Sequence, residues 1–293
     1  MNKPPLLDVC QVKRNFVRAA ADYDNVAVFQ REIARRMLER LDFIKFEPGR
    51  ILDLGCGTGF DLSALSERYK TSQVTGLDQS EAMLHAGKGS QSSVRWLFPR
   101  FKLNRVVRLC ASAEKLPLKN SSADFIWSNL MLHWLNDAQQ ALREMFRVLD
   151  EEGLLMFSVL GPDSFKELRE SFSDGQTHTL PFYDLHDYGD LLQECGFSDP
   201  VMDVDRVVMN YRSLDDLLAE LRRNGGSCAT HDRNRGLMGK KNWQAMRAAY
   251  EKKVPNGIFP VTLEVIYGHA WKPVARKTAD GSDIVRFESK SWK

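Results

Sequence analysis

Three glycines at alternate positions follow a run of apolar residues in the segment Arg50-Ile-Leu-Asp53-Leu-Gly55-Cys-Gly57-Thr-Gly59. Glycines at the end of a strand let the backbone turn tightly and approach a ligand closely. Asp78 stands 19 positions after Gly59, at the end of a second apolar run, Val74-Thr-Gly-Leu77. A carboxylate in that place can accept hydrogen bonds from both hydroxyls of a ribose. The loop lacks the Gly-Lys-Ser/Thr ending of a phosphate loop and the G-x-G-x-x-G spacing of a dinucleotide site. Asp53, two residues before the first glycine, would repel a pyrophosphate and would suit a cationic amino-acid ligand. Ribose and ammonium chemistry together point to S-adenosylmethionine, which carries a sulfonium and an α-ammonium.

Such a site needs a frame that brings strand ends together. Apolar positions at Phe29, Ile33, Met37 and Leu41 predict an amphipathic helix over 25–41. Strands are expected at 50–54, 74–78, 106–110, 123–128 and 154–160, the last opened by Gly153. Helices are expected at 62–69 and 137–149, with Ser80 able to cap a further one. Alternating strands and helices argue for an α/β fold with helices on both faces of a mostly parallel sheet. Parallel strands buried on both faces read as continuous apolar runs, as these do. After Gly161-Pro162 the pattern changes. Ser164-x-x-Glu167 and Ser213-x-x-Asp216 read as capping boxes of two helices. Helices are also expected at 186–195 and 241–252, and strands at 201–211 and 261–271. Residues 224–240 form a Gly-rich basic loop. The predicted organisation is an N-terminal helical cap over 1–45 and a Rossmann-like domain over 46–271. Helical lid insertions lie near 161–181 and 213–252, and a weakly ordered polar tail runs over 272–293.

Composition narrows the function classes. Lys plus Arg number 41 and Asp plus Glu 39, a net charge of +2 that gives no support to a dedicated nucleic-acid binder. No apolar run approaches the roughly 18 residues of a membrane span. The five cysteines are scattered without a CxxC pair, and no metal-ligand spacing is recognisable, so a reduced, cytoplasmic chain without a metal is expected.

The motif Asp53-x-Gly55-x-Gly57-x-Gly59 is similar to the first motif of class I methyltransferases. Asp78, with Gln79 after it, matches their ribose-binding acid. Ser112-Ala113-Glu114-x-Leu116-Pro117 resembles their adenine-contacting segment, with Ser112 where Asp is usual. Ser128-Asn129 matches the segment beside the methionine and the transferred methyl. Further motifs resemble one family over about residues 11–273. These are Asn15-Phe-x-Arg18-Ala-Ala-x-x-Tyr23-Asp24, Asn129-Leu-Met-Leu-His133-Trp134, Leu160-Gly-Pro-Asp-Ser164, His186-Asp-x-Gly-Asp190, Pro200-Val-Met-Asp-Val204 and Tyr267-Gly-His-Ala-Trp271. The family they resemble is the malonyl-[acyl-carrier protein] O-methyltransferases of biotin synthesis.

The resemblance implies a seven-stranded class I methyltransferase sheet. It also implies methyl transfer from S-adenosylmethionine to the free carboxylate of a malonyl thioester on acyl carrier protein or coenzyme A. An acidic carrier protein is the implied partner, with neither nucleic acid nor membrane. The implied cofactor-binding residues are Tyr23, Asp53, Gly55, Gly57, Gly59, Asp78, Gln79, Ser112, Ala113, Glu114 and Asn129. Tyr23 would close over the methionine part of the cofactor. A carboxylate acceptor needs no general base, but it needs a cation to hold it, and arginine suits a bidentate grip. Arg206, Arg143, Arg147 and Arg212 are the candidates, Arg206 foremost, and His133 is a candidate for orienting substrate. Arg222, Arg223, Arg233, Arg235, Lys240 and Lys241 could steer the carrier. Two other readings stand beside this one. The first is methylation of another small acid or a quinone. The second is a non-methylating relative of the mitochondrial complex I assembly factor, an arginine hydroxylase on the same scaffold. The intact glycine motif, Asp78 and the Asn129 segment favour a competent cofactor site.

Overall fold

The computed structural model describes residues 6–87, 106–236, 238–254 and 257–274. Helices α1 (Val9–Ala19), α2 (Tyr23–Val26) and α3 (Val28–Arg40) lead into the sheet. Its strands are β1 (Arg50–Leu54), β2 (Gln73–Asp78), β3 (Val107–Cys110), β4 (Ala123–Asn129), β5 (Leu149–Leu160), β6 (Ser198–Tyr211) and β7 (Phe259–Trp271). Among the described residues they form one seven-stranded sheet in the order β3-β2-β1-β4-β5-β7-β6. The first five strands are parallel, and β7 runs antiparallel to both β5 and β6. The direction of winding reverses between β1 and β4, and in open α/β sheets a crevice for ligands opens at the carboxyl ends of such strands. The Asp53 loop leaves one of those ends, and Ser128-Asn129 lie at the other.

The apolar runs form strands because both faces of the sheet are covered. Helix α4 (Phe60–Arg68) joins α3 on one face, where Ile33, Met37, Leu62 and Leu65 pack on Phe125 and Trp127. Helices α6 (Ala138–Val148) and α8 (Leu185–Glu194) cover the other, where Leu142, Met145, Leu191 and Leu192 pack on Ile126, Leu155 and Phe157. A short α5 (Glu81–Ala86) follows β2, and α7 (Lys166–Arg169), α9 (Leu214–Arg223) and α10 (Lys240–Glu251) belong to the inserted segments. No helix among the described residues is long and apolar enough to cross a membrane.

Several local expectations change. The helix expected over 25–41 is two helices, because Ala27 breaks the run with ψ 44°. Helix α1, which the periodicity did not single out, is tied to the Gly-rich loop. There Asp8 N–H donates to the Ala229 carbonyl at 2.7 Å, and Asn15 Nδ2 donates to that of Ser227 at 3.2 Å. Strand β5 starts at Leu149 rather than after Gly153, with a register shift opposite Ala123 and Phe125. Ser80 occupies the cap position of α5, yet its hydroxyl makes no cap bond. The Ser164-x-x-Glu167 capping box does not form, since Phe165 is left-handed (φ +59°) and α7 is a single turn. Ser164 instead bonds the backbone of Glu264 in β7, donating at 3.1 Å and accepting at 3.0 Å, while Glu167 accepts the Thr262 N–H at 2.9 Å. These long-range bonds pin the 161–169 turn to the sheet. Ser213 does cap α9, accepting the Asp216 N–H at 3.1 Å. The reciprocal box belongs to Asp184 and Asp187 at α8. The expected polar tail lies, from residue 275 on, outside the described residues.

Candidate active site

The turn after β1 places three glycines in the left-handed region, with φ of +79°, +52° and +90° at Gly55, Gly57 and Gly59. Side chains rarely adopt that conformation, which is why the loop reads as glycine at alternate positions. The loop is fixed to β2: Gly55 and Cys56 N–H donate to the Leu77 carbonyl at 2.8 and 3.1 Å. Asp78 holds it from the side, Oδ2 accepting the Gly57 N–H at 2.9 Å and Oδ1 the Ser80 N–H at 2.7 Å.

A cavity of about 380 Å³ opens over this loop. Its inner wall is acidic. Asp61, in the first turn of α4, accepts a hydrogen bond from Trp127 Nε1 at 2.9 Å. Burial pushes its carboxyl up to about 6, opposed by the hydrogen bonds from Trp127 and Asn129. Asp53 lies buried beneath the loop. Burial, with the charges of Asp61 and Asp78 added, raises its carboxyl well above the usual range. Asp78 is also raised by burial, against the pull of the Ser80 and Gly57 N–H groups. Asp61 and Asp78 line the cavity and Asp53 is buried behind it, and these three carboxylates with disfavoured charge form a field that a cationic ligand would relieve. Tyr23 lines the same wall, its phenol kept neutral by burial and by the neighbouring Asp61, Asp78 and Asp24. Thr58 Oγ1 donates to Asp24 at 2.6 Å, joining the N-terminal helices to the glycine loop.

The structure brings many of the sequence candidates together. Tyr23, Gly55, Gly57, Asp78, Gln79, Ala113 and Asn129 all line the cavity. Asp53, Gly59, Ser112 and Glu114 do not: Asp53 is buried within β1, Ser112 Oγ accepts the Glu114 N–H at 3.2 Å, and the Glu114 carboxylate accepts the Asp137 N–H at 3.3 Å. None of the four candidate arginines lines the cavity. Arg206 is 63% exposed and pairs with Asp163 at 3.1 Å. Arg147 is held by Glu144 at 2.8 Å and by the carbonyls of Leu116 and Leu118 at 3.1 and 2.8 Å. Arg143 is exposed on α6, and Arg212 is exposed just past β6. His133 does line the cavity, but burial alone pushes its pKa down to about 3, so it is neutral. The motifs did not single out Asp61, Arg31 or His178, which also line the wall. An acid in the first turn of a helix ordinarily answers the helix dipole, so Asp61 carried no separate signal. His178 lies on a connecting segment with no regular spacing.

A methyltransferase domain family model matches residues 52–157. The 1,6-didemethyltoxoflavin-N1-methyltransferase of Burkholderia thailandensis, solved with 1,6-didemethyltoxoflavin and S-adenosylhomocysteine, superposes with a TM-score of 0.51. The match has 18% identity and covers 91% of this chain and 89% of that one, a likeness of fold. Two relatives extend over nearly the whole sequence. The malonyl-[acyl-carrier protein] O-methyltransferase of Laribacter hongkongensis is 46% identical over 290 residues, 96% of each chain. The protein of the same name from Gallionella capsiferriformans is 44% identical over 283 residues, 96% of this chain and 97% of its own. The sheet order, the glycine loop and this identity give one conclusion: the chain belongs to the malonyl-[acyl-carrier protein] O-methyltransferase family, S-adenosylmethionine-dependent methyltransferases of class I fold.

Proposed function

We propose that this chain transfers a methyl group from S-adenosylmethionine to the free carboxylate of a malonyl thioester on acyl carrier protein or coenzyme A. The methyl ester would prime pimeloyl synthesis for biotin in the cytoplasm. The observation that carries this reading is the 46% identity over 96% of both chains to a protein of that name.

The residues present suit the cofactor. Asp53 Oδ2 and Gln30 Oε1 are buried acceptors without a partner among the described residues, and Arg31 Nε is a buried donor without one. An amino-acid ligand brings an ammonium to the first two and a carboxylate to the third. Asp78 would take the ribose hydroxyls, Ala113 and Met83 would face the adenine, and Tyr23 would close over the methionine end; all four line the cavity. When bound, S-adenosylmethionine supplies an electrophilic methyl on a positively charged sulfur. An ordinary carboxylate, with a pKa near about 4, is already ionised at neutral pH, so the chain needs no general base. Its work is to orient the acceptor in line with the methyl and to keep water out. Esterification removes a charge whose later burial in an apolar tunnel would be costly.

Segments 161–181 and 213–252 contribute Phe165, Phe172, Leu218 and Leu221 to the cavity wall, the position of a lid, and Tyr23, Gln30 and Arg31 of α2 and α3 line it from the N-terminal cap. For carrier docking, exposed Arg222 lines the cavity, and Lys240, Lys241 and Arg235 are exposed, Arg235 lying 3.8 Å from Asp8. Arg233 is 14% exposed and pairs with Asp8 at 3.1 Å, and Arg223 pairs with Asp22, so these two hold the fold together.

The raised carboxyls set a pH dependence. A carboxyl titrating near about 6 must be ionised to attract a cation, so cofactor affinity falls as the pH drops through 6. Binding of S-adenosylmethionine by calorimetry is expected to weaken about tenfold between pH 7.5 and pH 5, and Asp61→Asn should flatten that profile. A flat profile in the unsubstituted enzyme would remove Asp61 from the site. The reaction is tested by S-adenosylhomocysteine release in the presence of malonyl- or acetyl-carrier protein. Release is expected with the malonyl form alone, and equal rates with both would refute transfer to the free carboxylate.

A further inference from the structure

Away from the glycine loop, the cavity wall continues as a run of rings. His133 meets Phe182 edge-on with centroids 5.6 Å apart, and Phe182 lies 6.5 Å from Phe165. The wall ends on His178, whose ring stacks on Phe172 with centroids 3.6 Å apart and planes 12° from parallel. His178 Nε2 lies 2.9 and 3.0 Å from the two carboxylate oxygens of Asp174. A carboxylate only accepts, so the proton between them sits on Nε2. Both side chains are 14% exposed. The hydrogen bond from His178 holds the Asp174 carboxyl below its ordinary range.

A histidine and a carboxylate kept this far from water are a costly way to stabilise a connecting segment. The arrangement has a direction. His178 lines the cavity and Asp174 does not. With Nε2 held by Asp174 and one ring face by Phe172, Nδ1 has no hydrogen-bond partner among the described residues. The other basic side chains of the cavity are less suited to an inner anion. Lys13 and Arg222 are exposed at its rim. Arg31 is engaged by Asp24 and lies over the Phe60 ring, at the cofactor end. His133 is neutral.

Resting on the function proposed above, we propose that His178 receives the free carboxylate of the acceptor through Nδ1. Asp174 is the positioning residue that fixes its ring and tautomer. The acceptor would then meet a ring N–H at the end of an apolar aromatic wall, with the other ring nitrogen held by Asp174. The pair therefore selects short thioesters that end in a carboxylate over those that end in a methyl group. Once the ester forms, the anion that matched the His178 donor is gone, and the product is held less tightly than the substrate.

The test uses the full-length enzyme with S-adenosylmethionine, a malonyl thioester as substrate and an acetyl thioester as competitive ligand. His178→Gln should raise the malonyl KM about 10- to 100-fold, with the acetyl inhibition constant and S-adenosylhomocysteine affinity within about twofold, as for loss of one hydrogen bond to a charged group. Asp174→Asn should raise the malonyl KM about three- to tenfold at nearly unchanged kcat and acetyl binding, as second-layer partners do. It keeps the imidazole in place and carries the same test if the glutamine variant does not fold. An unchanged malonyl KM in folded variants that bind S-adenosylhomocysteine would overturn the assignment, as would equal losses for malonyl and acetyl. Failure of the unsubstituted enzyme to methylate any malonyl thioester would instead remove the proposed function, and this assignment with it.

Discussion

Asp78→Ala is expected to weaken S-adenosylhomocysteine binding by at least about 10²-fold, the loss of two charge-assisted hydrogen bonds to a ribose. Two effects add. The carboxylate that would take the hydroxyls disappears, and so do the acceptors that hold the Gly57 and Ser80 N–H groups at 2.9 and 2.7 Å. The unliganded fold should lose little, because burial disfavours the Asp78 charge that the substitution removes. Calorimetry and thermal melting separate the two. A dissociation constant within threefold of the unsubstituted enzyme's would show that Asp78 only braces the loop.

The second large effect comes from a glycine outside the motif. Gly87 ends α5 and packs against the glycine loop, and a Cβ there would collide with the Thr58 carbonyl oxygen. That obstacle is backbone, so the loop itself must move. Gly87→Ala is expected to lower Tm by about 5–10 °C, the cost of overpacking at a rigid contact in a chain of this size. It should weaken cofactor binding at the same time, since the displaced residue lies between Gly57 and Gly59. Gly189 in α8 is the matched control. Nothing lies within 4 Å of a Cβ added there, and Gly189→Ala should hold or raise Tm by helix propensity alone. Equal melting of the two variants would mean that α5 does not brace the loop.

The parts of the fold that depend on nearest neighbours in sequence were legible. Continuous apolar runs located the central strands because burial on both faces leaves no place for polar residues. The glycine spacing located the loop because left-handed backbone selects glycine. Asp78 could be placed by its distance from Gly59 and its position at a strand end. What was not legible depends on partners far along the chain. Ser164 and Glu167 have the spacing of a capping box, but β7, about a hundred residues later, takes both side chains. Arg147 has the chemistry of an anion grip, but carbonyls of the 116–118 turn and Glu144 use it locally. Asp61 and His178 stand on no motif and meet at one cavity only because α4 and the segment after α7 both contribute to its wall.

The central claim is methyl transfer to a free carboxylate, and intact mass tests it most directly. Malonyl-acyl carrier protein and acetyl-acyl carrier protein would each be incubated with the enzyme and S-adenosylmethionine, then weighed. The expected result is a gain of one CH2 on the malonyl form alone. No gain on the malonyl form, from enzyme that still binds S-adenosylhomocysteine, would contradict the account and direct the search to a different acceptor.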